Sequence, residues 1–221
     1  MLPISFAESL QTQELPGYKY VNPMRHGQFS LKYGLAVAPE ATITQDELLG
    51  ARFESPDRSK IILLRRNGIT CSIVQGYSTW SDLKRTAQEI WPLFRGWAGR
   101  TQVSRLALRY INVIEIPLAS DFDDYLASAP RVPSELPQLI ASFFERVIIP
   151  FTEADAHAIV IQATEPKPGP SVSVVLDIDV QCNRTLDASD VRIWETLDKI
   201  REIKNLIFFS HMTEKGLEAY R

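Results

Sequence analysis

Residues 105–112 read Arg105-Leu106-Ala107-Leu108-Arg109-Tyr110-Ile111-Asn112, and this stretch says more about the fold than any other. Side chains of a strand alternate between its two faces. Arg105, Ala107 and Arg109 therefore share one face, while Leu106, Leu108 and Tyr110 share the other. The alternation predicts a strand that is charged on one side and apolar on the other.

A second stretch repeats this pattern with the opposite charge. Leu176-Asp177-Ile178-Asp179-Val180 places two carboxylates where the first stretch has arginines. The two stretches are therefore expected to lie in a sheet, with Asp177 and Asp179 facing Arg105 and Arg109 as a ladder of opposite charges. Exposed cross-strand pairs of this kind contribute only about 0.2–1 kcal/mol each, so their main effect is on strand register.

Two hairpins are predicted around these strands. In the first, residues 60–74, the dipeptide Asn67-Gly68 separates two runs rich in β-branched residues. Asn and Gly tolerate the positive φ angles of a type I′ turn, whose twist matches that of the strands. The second hairpin, residues 156–182, has a proline-rich connection that cannot join a strand ladder.

Long amphipathic helices are predicted over residues 79–97 and 190–210, packed on one face of the sheets, with Thr79 capping the first. The expected fold class is α+β with mainly antiparallel sheets, because strand runs alternate with helices without a βαβ pattern. A hairpin followed by a long helix occurs twice, which suggests a pseudo-duplication. A shorter helix is predicted from Leu136 to Val147, ended by Pro150.

The predicted domain organisation is an irregular N-terminal arm over 1–28, followed by a single α+β domain over 29–221. Two half-domains, 29–118 and 119–221, are the alternative. The arm contains Pro3, Pro16 and Pro23 and shows no clear period. Residues 29–38 alternate like a half-buried strand, and residues 44–47 fit a capping box that would begin a short helical turn ending near residue 50.

Composition favours a cytoplasmic protein. The chain has 221 residues, 45% of them hydrophobic, and no apolar run approaches the roughly 18 residues that cross a bilayer. The first residues lack the basic and apolar segments of a secretory signal, so none is expected. Two cysteines, Cys71 and Cys182, do not make a disulfide framework. No membrane association is expected.

The charge is unevenly distributed although the net charge is −3. Residues 60–110 contain nine basic and two acidic residues, whereas residues 111–200 contain 15 acidic and six basic residues. The two regions can neutralise each other, or the first can form a surface for nucleic acid or another polyanion. The candidate anion-binding residues are Arg65, Arg66, Lys84, Arg85, Arg105 and Arg109.

The pair Asp177 and Asp179 is also a candidate metal site. Two residues apart on one strand face, their carboxylates would lie roughly 7 Å apart, and such oxygens suit Mg²⁺ or Mn²⁺. No third ligand is tied to the pair by spacing. The charge ladder is therefore favoured over the metal site, and we expect the protein to have no cofactor. Motifs of hydrolases, zinc proteases and phosphate-binding loops are absent from the sequence, so enzymatic activity stays undecided and a non-catalytic role is favoured.

Several segments together resemble a sporadically distributed family of bacterial proteins of unknown function. The segments are Gly76-Tyr-Ser-Thr-Trp80, Leu108-Arg-Tyr-Ile-Asn112, Asp124-Tyr-Leu126, Leu176-Asp-Ile-Asp-Val180 and Ile207-Phe-Phe-Ser-His-Met-Thr-Glu214. The resemblance runs from about residue 50 to the C-terminus. It implies a bacterial cytosolic protein, and the patchy distribution of the family is similar to that of mobile or defence-associated genes.

Two functional hypotheses follow. The first is a non-catalytic adaptor that acts through protein–protein contacts, with a protein partner or a second copy of itself, as an accessory component of a bacterial defence or stress system. The second is a nucleic-acid-binding or metal-dependent nuclease-like protein that uses the basic residues and the Asp177/Asp179 pair.

Overall fold

The computed structural model describes residues 2–34, 37–99, 102–118, 120–165 and 169–220, with side chains outside 27–46 and 219. The strands are β1 Lys19–Gly34, β2 Val37–Glu54, β3 Lys60–Arg65, β4 Gly68–Ile73, β5 Gln102–Val103, β6 Leu106–Pro117, β7 Phe144–Phe151, β8 Ala156–Glu165, β9 Ser171–Cys182 and β10 Leu186–Asp187. The α-helices are α1 Ile4–Leu10, α2 Trp80–Ala98, α3 Arg192–His211 and α4 Glu214–Leu217.

The chain forms two compact units, residues 1–100 and 101–221. Each contains a four-stranded sheet, and every strand pairing is antiparallel. The predicted α+β class is confirmed. The boundary between the units lies at residue 100, whereas the alternative with two half-domains placed it at residue 118.

The first sheet follows chain order, β1-β2-β3-β4. The predicted hairpin of residues 60–74 is β3 and β4, but Arg65 pairs with Gly68, so the two loop residues are Arg66 and Asn67 and not Asn67 and Gly68. The predicted type I′ turn is therefore wrong, because neither Arg66 nor Asn67 has the positive φ angle that this turn requires.

The core of this sheet combines Phe53 of β2 with Ile62 and Leu64 of β3, which are all at most 1% exposed. The remaining members of this buried cluster are Leu10, Leu15, Ala51, Ile90, Phe94 and Ala98.

The prediction of an irregular arm over 1–28 differs from the structure. Residues 4–10 form α1, whose Ala7 and Leu10 are fully buried, and β1 begins at Lys19. Pro3 lies just before the helix, where its missing N–H is not needed. Pro23 lies in a strand, but β1 is at the sheet edge, where proline is tolerated.

The helical turn predicted over 44–50 is wrong, because these residues belong to β2. Pairing with β1 extends along most of β2, from Val37 to Glu54, and this tertiary constraint overrides the local capping pattern. The strand predicted over 29–38 corresponds to the end of β1 and the start of β2, and its residues 35 and 36 lie outside the described residues.

The first long helix agrees with the sequence pattern. The Thr79 hydroxyl accepts a hydrogen bond from the Asp82 N–H, and the helix continues through Pro92 to Ala98. Ile90 and Phe94 are buried. None of the described helices combines the length and the apolar character that a membrane crossing requires.

The second sheet has the order β6-β9-β8-β7, so the predicted hairpin of residues 156–182 forms its centre. The long helix α3 packs on β6 and β9. The connection between β6 and β7 contacts β8, because the amide of the buried Gln162 donates to the Ser128 hydroxyl of this connection at 2.6 Å. The stretches 105–112 and 176–180 of the sequence thus belong to neighbouring strands, β6 and β9.

The helix predicted from Leu136 to Val147 is wrong. Residues 144–151 are strand β7, and Leu136 and Leu139 are 53% and 91% exposed. The apolar spacing was compatible with a helix, but Val147, Ile148 and Ile149 are β-branched, and pairing with β8 selects the strand.

The two units share an element order, as the suggested pseudo-duplication expects, but they differ in strand order. In each unit four strands form a sheet and a long helix follows the last of them in the chain. The strand orders differ, because the first strand of the first sheet pairs with the second, whereas β6 pairs with β9.

Candidate functional site

One face of the second sheet packs against helix α3. Leu108 and Ile114 of β6 and Ile178 of β9 point to the covered face and are at most 7% exposed. Helix α3 lies on this side, because the ammonium of Lys204 is 4.1 Å from the centre of the Tyr110 ring. Residues at odd-numbered positions of β6, β8 and β9 therefore point to the opposite face. We call this opposite face the open face.

Large apolar side chains occupy the two sides of the open face. On β6, Ile111 and Val113 are 60% and 48% exposed. On β7, Phe144 and Ile148 are 69% and 52% exposed, and they pair with Ala163 and Ile159 of β8, which point the same way. Exposed apolar residues grouped on one sheet face are typical of surfaces that bind other proteins.

A polar row crosses the open face at the β6–β9 boundary. The Arg109 guanidinium donates to both carboxylate oxygens of Asp177, at 2.8 and 2.5 Å. The amide of Gln181 donates to Asp179 at 2.5 Å, and Arg105, just before β6, donates to Gln181 at 3.2 Å. The predicted charge ladder is thus confirmed for Arg109 and Asp177, while Arg105 contacts a neutral amide.

Glu115 organises the other end of the open face. Its carboxylate accepts hydrogen bonds from the hydroxyls of Ser171 and Ser173, each at 2.8 Å. Ser173 is only 2% exposed, so this contact satisfies a buried hydroxyl. The open face consequently presents apolar residues between an arginine and a glutamate.

The ion pair affects the protonation of Arg109. Hydrogen bonding to Asp177 is the main cause that raises the pKa of the Arg109 guanidinium above its usual value. The pair is asymmetric, because the Arg109 side chain is 57% exposed and the Asp177 side chain only 9%. Arg109 can therefore keep water contacts while it neutralises a nearly buried carboxylate.

The other predicted anion-binding residues lie in the first unit, at two places. Arg65 and Arg66 follow one another at the end of β3. The Arg65 guanidinium donates to the Thr70 hydroxyl at 2.5 Å, and Arg66 donates to the Leu2 carbonyl and pairs with Glu47. Lys84 and Arg85 lie on α2, where Arg85 pairs with Asp82.

Existing ion pairs would compete with an anion for these arginines. Arg66, Arg85 and Arg109 each already have a carboxylate partner within their own unit. A phosphate would have to compete with that carboxylate for the same donors. The anion-binding prediction for the six residues stays a prediction.

The predicted metal pair has a similar competitor. Both oxygens of Asp177 accept from Arg109, so a cation would have to displace a guanidinium. Within the residues that the structure describes, no group of three or more His, Cys, Asp or Glu side chains is arranged to hold a metal ion.

Sequence reasoning missed the contribution of β7 to the open face, because its residues were assigned to a helix. The run Val147-Ile148-Ile149 was the available signal, since three consecutive β-branched residues favour a strand. The exposed residues Ile111 and Val113 were read only as part of the arginine strand.

Comparison with known proteins adds no assignment: no family model matches the chain, and neither a curated protein nor a solved structure gives a significant match.

Proposed function

We propose that this chain is a non-catalytic binding protein whose open face docks onto another protein. The observation that carries the proposal is the exposure of Ile111, Val113, Phe144 and Ile148 on a sheet face whose opposite side is buried. These residues form two exposed apolar pairs, one on each edge strand of the sheet, and a partner that covers them removes apolar surface from water.

The polar residues of the open face support the same function. Arg109 is held in position by Asp177 but remains 57% exposed, so its remaining donors can reach a partner. Arginine is enriched in protein–protein interfaces, together with aromatic residues and methionine. The partner surface should therefore be apolar with a carboxylate or carbonyl group placed near Arg109.

The proposed setting is the cytosol of a bacterium, with the chain acting as an accessory component of a defence or stress system. This part of the proposal is supported by the resemblance of the segments from residue 50 onward to a patchily distributed bacterial family.

A nucleic-acid-binding or nuclease-like role has less support, because Arg66, Arg85, Arg109 and Asp177 are engaged in ion pairs. Its test is the effect of salt on binding, since affinity for duplex DNA falls with a log–log slope near −0.9 per phosphate contact. Binding at low salt that is lost on charge reversal of Arg65, Arg66, Lys84 and Arg85 would favour this role over the docking proposal.

The docking proposal is tested by affinity purification from the native host with three forms of the tagged chain. These are the wild type, the open-face variant Ile111→Ser/Val113→Ser, and the control Leu206→Ser, which changes a 61% exposed residue on α3. We expect a protein that is retained by the wild type and the control and is lost with the open-face variant.

Direct binding of that protein, measured by calorimetry, should weaken roughly tenfold or more in the open-face variant, as expected when two apolar contacts of an interface are truncated. Equal retention by all three forms would reject the open face as the docking surface, and so would the absence of any retained protein.

A further inference from the structure

Strand β7 is an edge strand that is exposed on both faces. It pairs with β8 on one side only. Phe144 and Ile148 on the open face are 69% and 52% exposed, and Val147 on the other face is 42% exposed. An exposed edge that carries apolar side chains favours pairing with another strand, and natural proteins protect such edges or use them.

The hydrogen bonds of Thr164 show which backbone groups of β7 point outward. The Thr164 N–H donates to the Phe143 carbonyl, and the Thr164 hydroxyl accepts from the Phe143 N–H, each at 3.1 Å. Residues of an antiparallel strand alternate between bonding inward and outward. The odd residues of β7 therefore bond to β8, and the N–H and C=O groups of Phe144, Arg146 and Ile148 point away from the sheet.

Pro150 fits this alternation. It is at an outward position, so its missing N–H removes no bond to β8. It also ends the outward row of donors at Ile148. The pairing surface of β7 is therefore short and has a defined end, which limits the registers that a partner strand can adopt.

The opposite edge of the sheet, β6, is partly closed. The Tyr220 hydroxyl donates to the Val113 carbonyl at 3.2 Å. The Leu118 N–H donates to the Pro170 carbonyl, which places even residues toward β9 and makes Pro117 another outward proline. A β7–β6 contact between copies, which would build an open fibre, is therefore disfavoured relative to a contact that uses β7 twice.

We propose that β7 pairs antiparallel with β7 of a second copy across a two-fold axis, which joins the two second sheets into one sheet of eight strands. The outward N–H and C=O groups of Arg146 bond to those of Ile148 in the other copy. Val147 then faces Val147 of the other copy at the axis, as a pair without mutual hydrogen bonds. A register centred on Arg146 is disfavoured because it would place two arginines directly opposite each other.

This inference goes beyond the proposed docking function, because it concerns the sheet edge and not the open face. It predicts that the protein carries two open faces per assembly. The mass of the assembly in solution should be twice the 25.0 kDa of the chain.

The first test is size-exclusion chromatography with light scattering on the full chain. Arg146→Pro removes an outward N–H without touching the β8 ladder, and Arg146→Ala keeps that N–H while removing the same charge. We expect the wild type and Arg146→Ala to be dimers, and the dissociation constant of Arg146→Pro to rise about tenfold or more. Matching circular dichroism spectra of the two variants verify that both fold.

The second test does not depend on the proline variant. Val147→Cys places two thiols at the axis at the close spacing of a pair without mutual hydrogen bonds, where a disulfide can form. Mild oxidation should produce a covalent dimer, while Val113→Cys, at a similarly exposed position of β6, should not.

Three outcomes would overturn the inference. The first is a wild type that remains at 25.0 kDa at high concentration. The second is a dimer that persists unchanged in Arg146→Pro and that forms no disulfide in Val147→Cys. The third is a β7 edge that binds only an extended peptide of another protein. A wild type that stays monomeric while its open face still retains the partner would reject this inference and leave the docking function intact.

Discussion

Arg109 binds Asp177 with two hydrogen bonds, although Asp179 is the residue directly opposite Arg109 on β9. The guanidinium reaches diagonally to the carboxylate that is 9% exposed. Asp179 instead accepts from Gln181. The choice follows from burial, since a nearly buried carboxylate needs a charged partner more than a partly solvated one does.

Removal of the two partners of this pair should have unequal effects. Arg109→Met leaves the Asp177 carboxylate buried without its partner and should lower the free energy of unfolding by about 1–3 kcal/mol. Asp177→Asn leaves a half-exposed Arg109 that water can solvate, so the loss should be about 1 kcal/mol or less. Urea unfolding of both variants measures the difference. Equal losses would show that the pair is not governed by the burial of Asp177.

The two glycines Gly50 and Gly96 should respond oppositely to substitution by alanine. A Cβ on Gly50 would lie 1.9 Å from the Leu64 carbonyl oxygen, so Gly50→Ala should destabilise the first unit by about 3 kcal/mol or more. Gly96 lies in α2 with open space around it, and Gly96→Ala should stabilise by about 0.5–1 kcal/mol. Thermal denaturation of the pair is the measurement. A tolerated Gly50→Ala would contradict the close approach of β2 and β3.

Cys71 should be nearly inert in the folded protein. Cys71 is partly buried in β4, and its desolvation there raises the pKa of the thiol from 9.0 to about 12. At pH 8 the reactive thiolate fraction is therefore about a thousandfold below that of a free thiol. In a Cys182→Ser background, alkylation by iodoacetamide should be slow in buffer and fast in denaturant, as followed by mass spectrometry. Rapid alkylation of the folded chain would be incompatible with this burial.

The same shift gives a pH dependence. The folded pKa of Cys71 is above the unfolded value, so its contribution to stability is complete below pH 9 and is lost as the pH rises toward 12. Cys71→Ser should weaken the decline of stability above pH 9.

Lys204 should destabilise the second unit when it is charged. Burial, with a smaller effect from Arg201, lowers its pKa from 10.5 to about 8. The unfolded chain binds the proton more tightly, so the stability that depends on Lys204 rises between pH 8 and pH 10.5. Lys204→Met keeps an apolar contact with Tyr110 and should raise the melting temperature by a few degrees at pH 7, corresponding to roughly 1 kcal/mol.

That gain should shrink at pH 10, where Lys204 of the wild type is neutral. Lys199→Met on the same helix is the matched control. No gain, or a loss, at pH 7 would mean that the attraction of the ammonium to the Tyr110 ring offsets its desolvation. An equal gain at both pH values would mean that the charge of Lys204 does not cause the gain.

Part of the fold was predictable from the sequence because its information is local. Two runs rich in β-branched residues joined by a short loop form the hairpin of residues 60–74, and Thr79 begins α2 by capping it. The alternation in β6 and β9 survives in the structure because one face of each strand is buried under α3 and the other is not. These features depend on neighbours within a few residues.

Other parts were not predictable because they depend on distant residues. Residues 144–151 became a strand through pairing with β8, and residues 44–50 became a strand through pairing with β1 and β3. In both cases backbone hydrogen bonds to another segment override a helical pattern. The structure of the N-terminal residues also depends on distant residues, since Leu10 of α1 packs in the buried cluster of the first unit.

By itself, the sequence determined the α+β class, both hairpins, both long helices and the placement of Arg109 opposite an aspartate of the neighbouring strand. Turn chemistry, capping and side-chain alternation act over a few residues and need no knowledge of the rest of the chain. Only the tertiary structure decided that Arg109 selects Asp177, that β7 forms an exposed edge, and that Ile111 and Val113 lie open on β6, the opposite edge strand. Partner choice and exposure depend on which segments pack together, and that is a property of the folded chain.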